Sequence, residues 1–310
     1  MSRTNRQVAA TVAATVAATA ATTPARRATA ALILSLAVCL SAAACGGSGA
    51  TGATDSTTLI QVVAAESVWG EIATQIGGPQ IQVTDITGGS ASVSVDPTAY
   101  RPSPADTKAV AGAQVLIVNG AGLDPWAGQA AAADPGIGRL DVNVGDVVGV
   151  TPGGDPYLWY EPAYVRSAAE QIETDFAQLR PADAAYFRQQ EQAFEASSSA
   201  TDEALAGTIK SRFGGVQVGA CPGLAADVAG GLGLKPDDAV TAAQITDKQV
   251  KVLLCDAQAA DAASRGLLSA AGSAHIPVVA LSENLEPAGT TFQAWLTAQL
   301  QQIDQAMAHS

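Results

Sequence analysis

The side chains able to do chemistry in this 310-residue chain are few in kind. It has only two histidines, His275 and His309, and neither lies near a plausible serine or cysteine nucleophile, which leaves no Ser/His/Asp arrangement. Gly88-Gly89 and Gly230-Gly231 lack the following Lys-Ser/Thr of a phosphate-binding loop. Asp237-Asp238 reads as a loop and helix start rather than a catalytic acid pair. The pattern gives little support to an enzyme. Three groups remain. Cys221 and Cys255 each follow an apolar run; Glu66 closes another such run, and Asp124 stands just before a Pro. Trp69, Tyr100, Trp126, Tyr157, Trp159 and Tyr160 are much of a small aromatic inventory. Those rings fit either core packing or an aromatic-lined pocket. For Glu66 and Asp124 a place in a cleft and a helix-start or solvated role are equally open.

The elements that must position these groups can be read from the apolar pattern. Leu59 to Ala65 and Val115 to Val118 are short continuous apolar runs, as expected of buried parallel strands, and Ile81 to Ile86 alternates. Helical stretches separate them, one running to Ile76 before Gly77-Gly78 and another over Ala105 to Ala111. From Pro162, Val165, Ala169, Ile172, Phe176 and Leu179 recur at helical spacing. Pro181 opens a further helix, since its ring fits a first turn. Phe187, Phe194, Leu205 and Ile209 then keep one face until Gly214-Gly215, a span of roughly 40 Å at 1.5 Å per residue. Strands at 216–218, 250–254 and 276–281 alternate with helices, the last beginning at Phe292. Alternation of strand and helix predicts mostly parallel sheets. The fold class is therefore α/β: two doubly wound lobes, 58–180 and 214–310, joined by one long helix over 181–213. A ligand is expected between the lobes, at the carboxyl ends of the strands.

Charge and targeting bound the partners. The chain carries 16 basic and 29 acidic residues, a formal charge of −13. Arg3, Arg6, Arg26 and Arg27 all precede residue 44, leaving 12 basic against 29 acidic residues, −17, on the remainder. So acidic a body repels phosphate backbones, excludes nucleic acid as a partner and tolerates cations. Arg26-Arg27, the apolar stretch Ala28 to Ala44 and the small residues before Cys45 describe a secretory signal peptide over 1–44. The run is shorter than the ~20 residues a spanning helix needs. Small residues before Cys45, followed by Gly46-Gly47-Ser48-Gly49, resemble a bacterial lipobox, with Ala42 where Leu is usual. That implies a lipidated Cys45, contact with membrane lipid and a flexible tether over 45–57. The alternative is an ordinary signal peptide that leaves Cys45 a spare thiol.

Several segments, in order, resemble the TroA-like solute-binding proteins of zinc and manganese ABC importers. They are Val62-Val63-Ala64-Ala65-Glu66-Ser67-Val68-Trp69-Gly70; Asp96-Pro97-Thr98-Ala99-Tyr100-Arg101-Pro102-Ser103-Pro104-Ala105-Asp106; Asn119-Gly120-Ala121-Gly122-Leu123-Asp124-Pro125-Trp126; Asp155-Pro156-Tyr157-Leu158-Trp159-Tyr160; Val252 to Gln258; and Glu283-Asn284-Leu285-Glu286-Pro287. The resemblance implies a two-lobed, helix-hinged fold and a monomeric lipoprotein on the outer face of the cell membrane. It further implies zinc or manganese as transported cargo, with no catalytic cofactor, and an ABC permease as partner.

The ligand positions that the resemblance implies are mostly substituted. Thr98 and Tyr157 stand where the family has histidines, and Cys221-Pro222 where it has His or Glu; only Glu283 keeps an acidic ligand. Zinc favours four N, S or O donors in a tetrahedron, which a phenol, a hydroxyl and one carboxylate do not supply. Tyr157 is the leading cleft candidate because it occupies a ligand position. Cys221 and Cys255 follow strands that a doubly wound order makes neighbours, so a disulfide is one reading. The other is a soft S/S/O metal site with Glu283. Leu234 to Val250 also leaves little room for the strand and helix expected there. These substitutions keep a second reading open: a relative that has lost metal binding and serves as an accessory protein or binds another small solute.

Overall fold

A computed structural model describes residues 58–88, 97–257 and 261–310. The signal segment, the tether and Cys45 lie outside the described residues, as do Asp96 and Gln258 of the quoted motifs. The first lobe runs β1 (Ile60–Glu66), α1 (Ser67–Gly77), β2 (Ile81–Thr87), α2 (Pro104–Gly112), β3 (Val115–Val118), α3 (Pro125–Ala133), β4 (Leu140–Asn143) and α4 (Val144–Val148). Its four strands are parallel, in the order β2-β1-β3-β4. Helix α5 (Pro162–Leu179) leads through a 3-10 turn at Pro181–Asp183 into α6 (Ala184–Ser198), a π-turn at Ser199–Glu203 and α7 (Ala204–Phe213). The second lobe runs β5 (Gln217–Ala220), α8 (Leu224–Gly231), β6 (Lys235–Asp237), α9 (Ala242–Thr246), β7 (Leu253–Asp256), α10 (Ala262–Ala274), β8 (Val278–Leu281) and α11 (Phe292–Ala308). Its sheet is also parallel and repeats the first order, as β6-β5-β7-β8.

The parallel sheets explain the apolar runs. Both faces of β1 are covered: Val62 and Ala64 join the core under α1 and α5, while Val63 and Ala65 face Val110, Leu116 and Trp126. Covering both faces removes the need for alternation. A helix over Ala105 to Ala111 is expected from the sequence, and α2 covers it; its start is set by Ser103 and Asp106, each accepting the other's backbone amide. The linking helix buries Phe187, Phe194 and Ile209, and Phe187 packs on Phe176 of α5 with ring centroids 5.5 Å apart.

Two differences from the sequence reading stand out. The space between Leu234 and Val250 does hold a strand and a helix, as the three-residue β6 and the five-residue α9. Thr241 and Gln244 make α9 stable at that length by capping its first turn reciprocally. The elements α3, β4 and α4 were not anticipated. β4 and α4 are four and five residues long, too short to show a period, and α4 is held by Asn143 accepting the Asp146 amide and by Gly149 in the left-handed region. Among the described residues no helix is long and apolar enough to cross a membrane.

Candidate functional site

In each sheet the chain reverses direction of travel beside the first strand, between β1 and β3 and between β5 and β7. Crevices at the carboxyl ends of such strands are where open α/β sheets bind ligands. Glu66 is the last residue of β1, and Asn119 and Asp124 follow β3. Glu66 is 1% exposed, and neither of its oxygens accepts a hydrogen bond of ordinary geometry, the backbone amides of Asn119 and of Glu66 itself interacting with it only weakly. The amides of Asn119 and Gly120 instead donate to Asp124, both at 2.8 Å. The left-handed Gly120, Ala121 and Gly122 shape that loop and turn the Asp124 carboxylate back onto it. The Asn119 side chain accepts the Trp69 indole N–H at 3.1 Å and donates to the Pro156 carbonyl at 2.8 Å.

The electrostatics follow from burial. Desolvation, then the neighbouring Asp124 and Glu283, hold the Glu66 carboxyl well above the usual range, against a lowering influence of the Asn119 amide. Asp124 is raised to about 6 by burial, with the two loop amides pulling it down.

The segment before α5 reaches the second lobe. Tyr157 hydrogen-bonds Glu283, and its phenol is pushed up by burial, by Glu283 and by Asp256. Tyr160 donates to the Ser282 carbonyl at 3.3 Å and accepts from Gln299 at 2.8 Å. Trp159 lies between Trp69 and Tyr157, edge-on to both at centroid distances of 6.3 and 5.9 Å. Gly88, with φ at +74°, closes the seam from the other side: a Cβ there would overlap Asn284 and Ser67. Glu283 and Asn284 are 5% and 2% exposed, so the loop after β8 is buried between the lobes.

Of the residues singled out from the sequence, Glu66 and Asp124 are buried at the carboxyl-end crevice of β1 and β3, and Tyr157 hydrogen-bonds the buried Glu283. Thr98 is exposed, and it lines a groove with Tyr100, Arg101 and Trp126 on the opposite face of the first sheet. Cys221 and Cys255 form a buried disulfide across the β5–β7 crevice, their Cα atoms 4.7 Å apart. Sulfurs joined in that bond offer no thiolate, so the expected soft site of Cys221 with Cys255 and Glu283 is absent from this form of the chain. His275 caps α10 in the left-handed region and His309 ends α11; both are exposed. Among the described residues no group of three or more His, Cys, Asp or Glu side chains is placed to hold a metal ion.

Asp124 was named from the sequence as a possible cleft residue, but the Asn119 and Gly120 amides that hold it, the Gly88–Asn284 seam and a role for Asp256 beside Tyr157 were not. One signal was available for the Glu66 crevice: a lone carboxylate closing a strand that is otherwise apolar apart from Gln61.

A family model described as "ZnuA: Zinc-uptake complex component A periplasmic" matches residues 62–214. The manganese-binding lipoprotein MntA of Halalkalibacterium halodurans is 30% identical over 159 residues, 47% of this chain. The chain matches 48% of that protein's length, about half. The periplasmic zinc-binding protein TroA of Treponema pallidum superposes with a TM-score of 0.66 at 17% identity, covering 81% of this chain and 99% of that one. A periplasmic metal-binding protein from Candidatus Liberibacter asiaticus gives 0.62 at 17%, over 79% and 98%. The Mn-bound form of that protein gives 0.62 at 16%, over 79% and 98%. The fold is TroA-like, and the sequence resembles periplasmic zinc- and manganese-binding proteins through the first lobe and the linking helix.

Proposed function

We propose that this chain is the extracytoplasmic solute-binding component of a zinc- or manganese-type ABC importer. It is tethered by a lipid on Cys45, works as a monomer and hands its cargo to a membrane permease. The observation that carries this reading is the seam itself. Two parallel sheets of identical strand order turn their carboxyl ends toward it, and Tyr157 and Glu283 meet there. The relatives supply the rest, since the matched lipoprotein is named for manganese and the TroA structure for zinc. No reaction is assigned to the site. A net charge of −13 suits a cationic cargo.

One observation favours the second reading, a relative that keeps the fold without the metal: the described residues hold no three-donor group of His, Cys, Asp and Glu. Thermal unfolding of chelator-stripped protein separates the two. A bound ion stabilises by RT ln(1 + [L]/Kd), about 2.7 kcal/mol at a hundredfold excess over Kd, which raises the melting temperature by several degrees. The importer reading predicts such a rise with Zn2+ or Mn2+. Unchanged melting with both ions would hand the case to the second reading.

A further inference from the structure

We infer that Glu71 is a positioning residue of the seam: with Gln75 it latches α1 of the first lobe to the start of α11 in the second, and this latch keeps Tyr157 and Glu283 in contact. The inference concerns how the lobes are held and not what they hold, so it stands or falls apart from the importer reading. The chain passes between the lobes once, through the linking helix, and noncovalent contacts must set the rest of their relation. Ser67, Glu71 and Gln75 fall at i, i+4 and i+8 of α1 and share one face. Ser67 lies with Asn284 against the Gly88 backbone, in the seam itself. One turn on, Glu71 Oε2 accepts the backbone N–H of Phe292, the first residue of α11, at 3.0 Å. A further turn on, the side-chain amides of Gln75 and Gln293 donate to each other, at 2.8 and 3.2 Å. Gln293 also donates to Ser197 and Ser198 of α6, at 2.9 and 3.3 Å, which ties the linking helix into the same network.

The chemistry of a helix start makes Glu71 the strongest member. The Phe292 N–H is among those that have no acceptor inside their own helix, and it lies at the positive end of the helix dipole. Thr291 answers the Ala294 amide from within the second lobe, whereas the acceptor for Phe292 comes from the first. Gln75 donates to both Glu71 oxygens, at 3.0 and 2.8 Å, and so orients the carboxylate for that bond. Burial raises the Glu71 carboxyl, and the Gln75 and Phe292 donors pull it back down. The short segment from Glu283 to Phe292 is thus held against the first lobe at both ends, by the Gly88 and Ser67 contact of Asn284 and by Glu71. Glu71 acts on Glu283 through the position of that segment.

Hydrogen–deuterium exchange of the full chain, followed by mass spectrometry, tests the latch. In E71A the amides of 283–286 and of 157–160, on the two sides of the seam, should exchange at least tenfold faster while those of β3 keep their wild-type rates. E71Q keeps an acceptor for the Phe292 N–H and should bring both segments back to within about threefold of wild type. T74A, on the exposed side of the same helix, should exchange as wild type does. If E71A fails to fold, the double variant Q75A/Q293A, which removes the amide pair, carries the test through the same two segments. Faster exchange in the first turn of α11 with either seam segment at its wild-type rate would reduce Glu71 to a local helix cap and overturn the inference. So would an E71A protein indistinguishable from wild type. The exchange is read without added ions, so its failure is distinct from the missing response to Zn2+ and Mn2+ that would end the importer reading.

Discussion

At the scale of single residues, buried acids that lack partners mark where this molecule gives up stability. Glu66 is one and Asp85 is another. Asp85 sits on β2 against Gly70, where any side chain on residue 70 would overlap its carboxylate, and one of its oxygens is buried without a partner. Burial first, then the nearby Glu71, raises it from 3.8 to about 7. The folded chain therefore holds a proton that the unfolded chain has already released. Stability is highest below the unfolded value and falls as pH climbs from about 4 to about 7. Asp85→Asn should thus stabilise the protein at pH 8, by about 1–2 kcal/mol after allowance for solvent relaxation, and leave it unchanged near pH 4. Urea denaturation at the two pH values checks this; equal effects at both would remove Asp85 as the source. The composition around these acids was readable in advance, since Glu66 interrupts an apolar run. The lack of partners at Glu66 was not, because it depends on the Asn119 and Gly120 amides being given to Asp124.

At the scale of elements, length decided what could be read from the chain. Long periodic segments such as α5, and the linking helix from Phe187 to Ile209, carry enough turns for the 3.6-residue period to stand out. The buried strands β1 and β3 show themselves as unbroken apolar runs. Short pieces such as β4, β6 and α9 depend on caps and pairing partners, which no local pattern announces. The crevice of the second lobe is fixed at this scale too. Neighbouring strands β5 and β7 bring Cys221 and Cys255 together, closing a loop with a sequence separation of 34. A cross-link of that length is worth about 3–4 kcal/mol by the loop-entropy relation. Replacing both cysteines by alanine should lower unfolding free energy by up to that amount. Alkylation of the native protein without reductant should label neither residue; labelling of both would contradict the bridge.

At the scale of the whole molecule, two sheets of the same strand order present one oxygen-rich crevice and one locked by sulfur. The first lobe supplies Glu66 and the second supplies Glu283, while Tyr157 and Tyr160 hold the segment before α5 against the second lobe. Thr98, expected at the cleft from the family pattern, stays exposed on the other face of its sheet. The two-lobed frame could be inferred from alternation and helix spacing alone. Of the candidate site, Glu66, Asp124, Tyr157 and Glu283 could be named from the sequence, but not which backbone amides and rings hold them. The central claim is that this frame carries a divalent cation as cargo. Elemental analysis of the protein isolated from its native cells, by mass spectrometry without added metal or chelator, tests it most directly. The account predicts close to one divalent metal ion per chain; protein that arrives with no metal would contradict it.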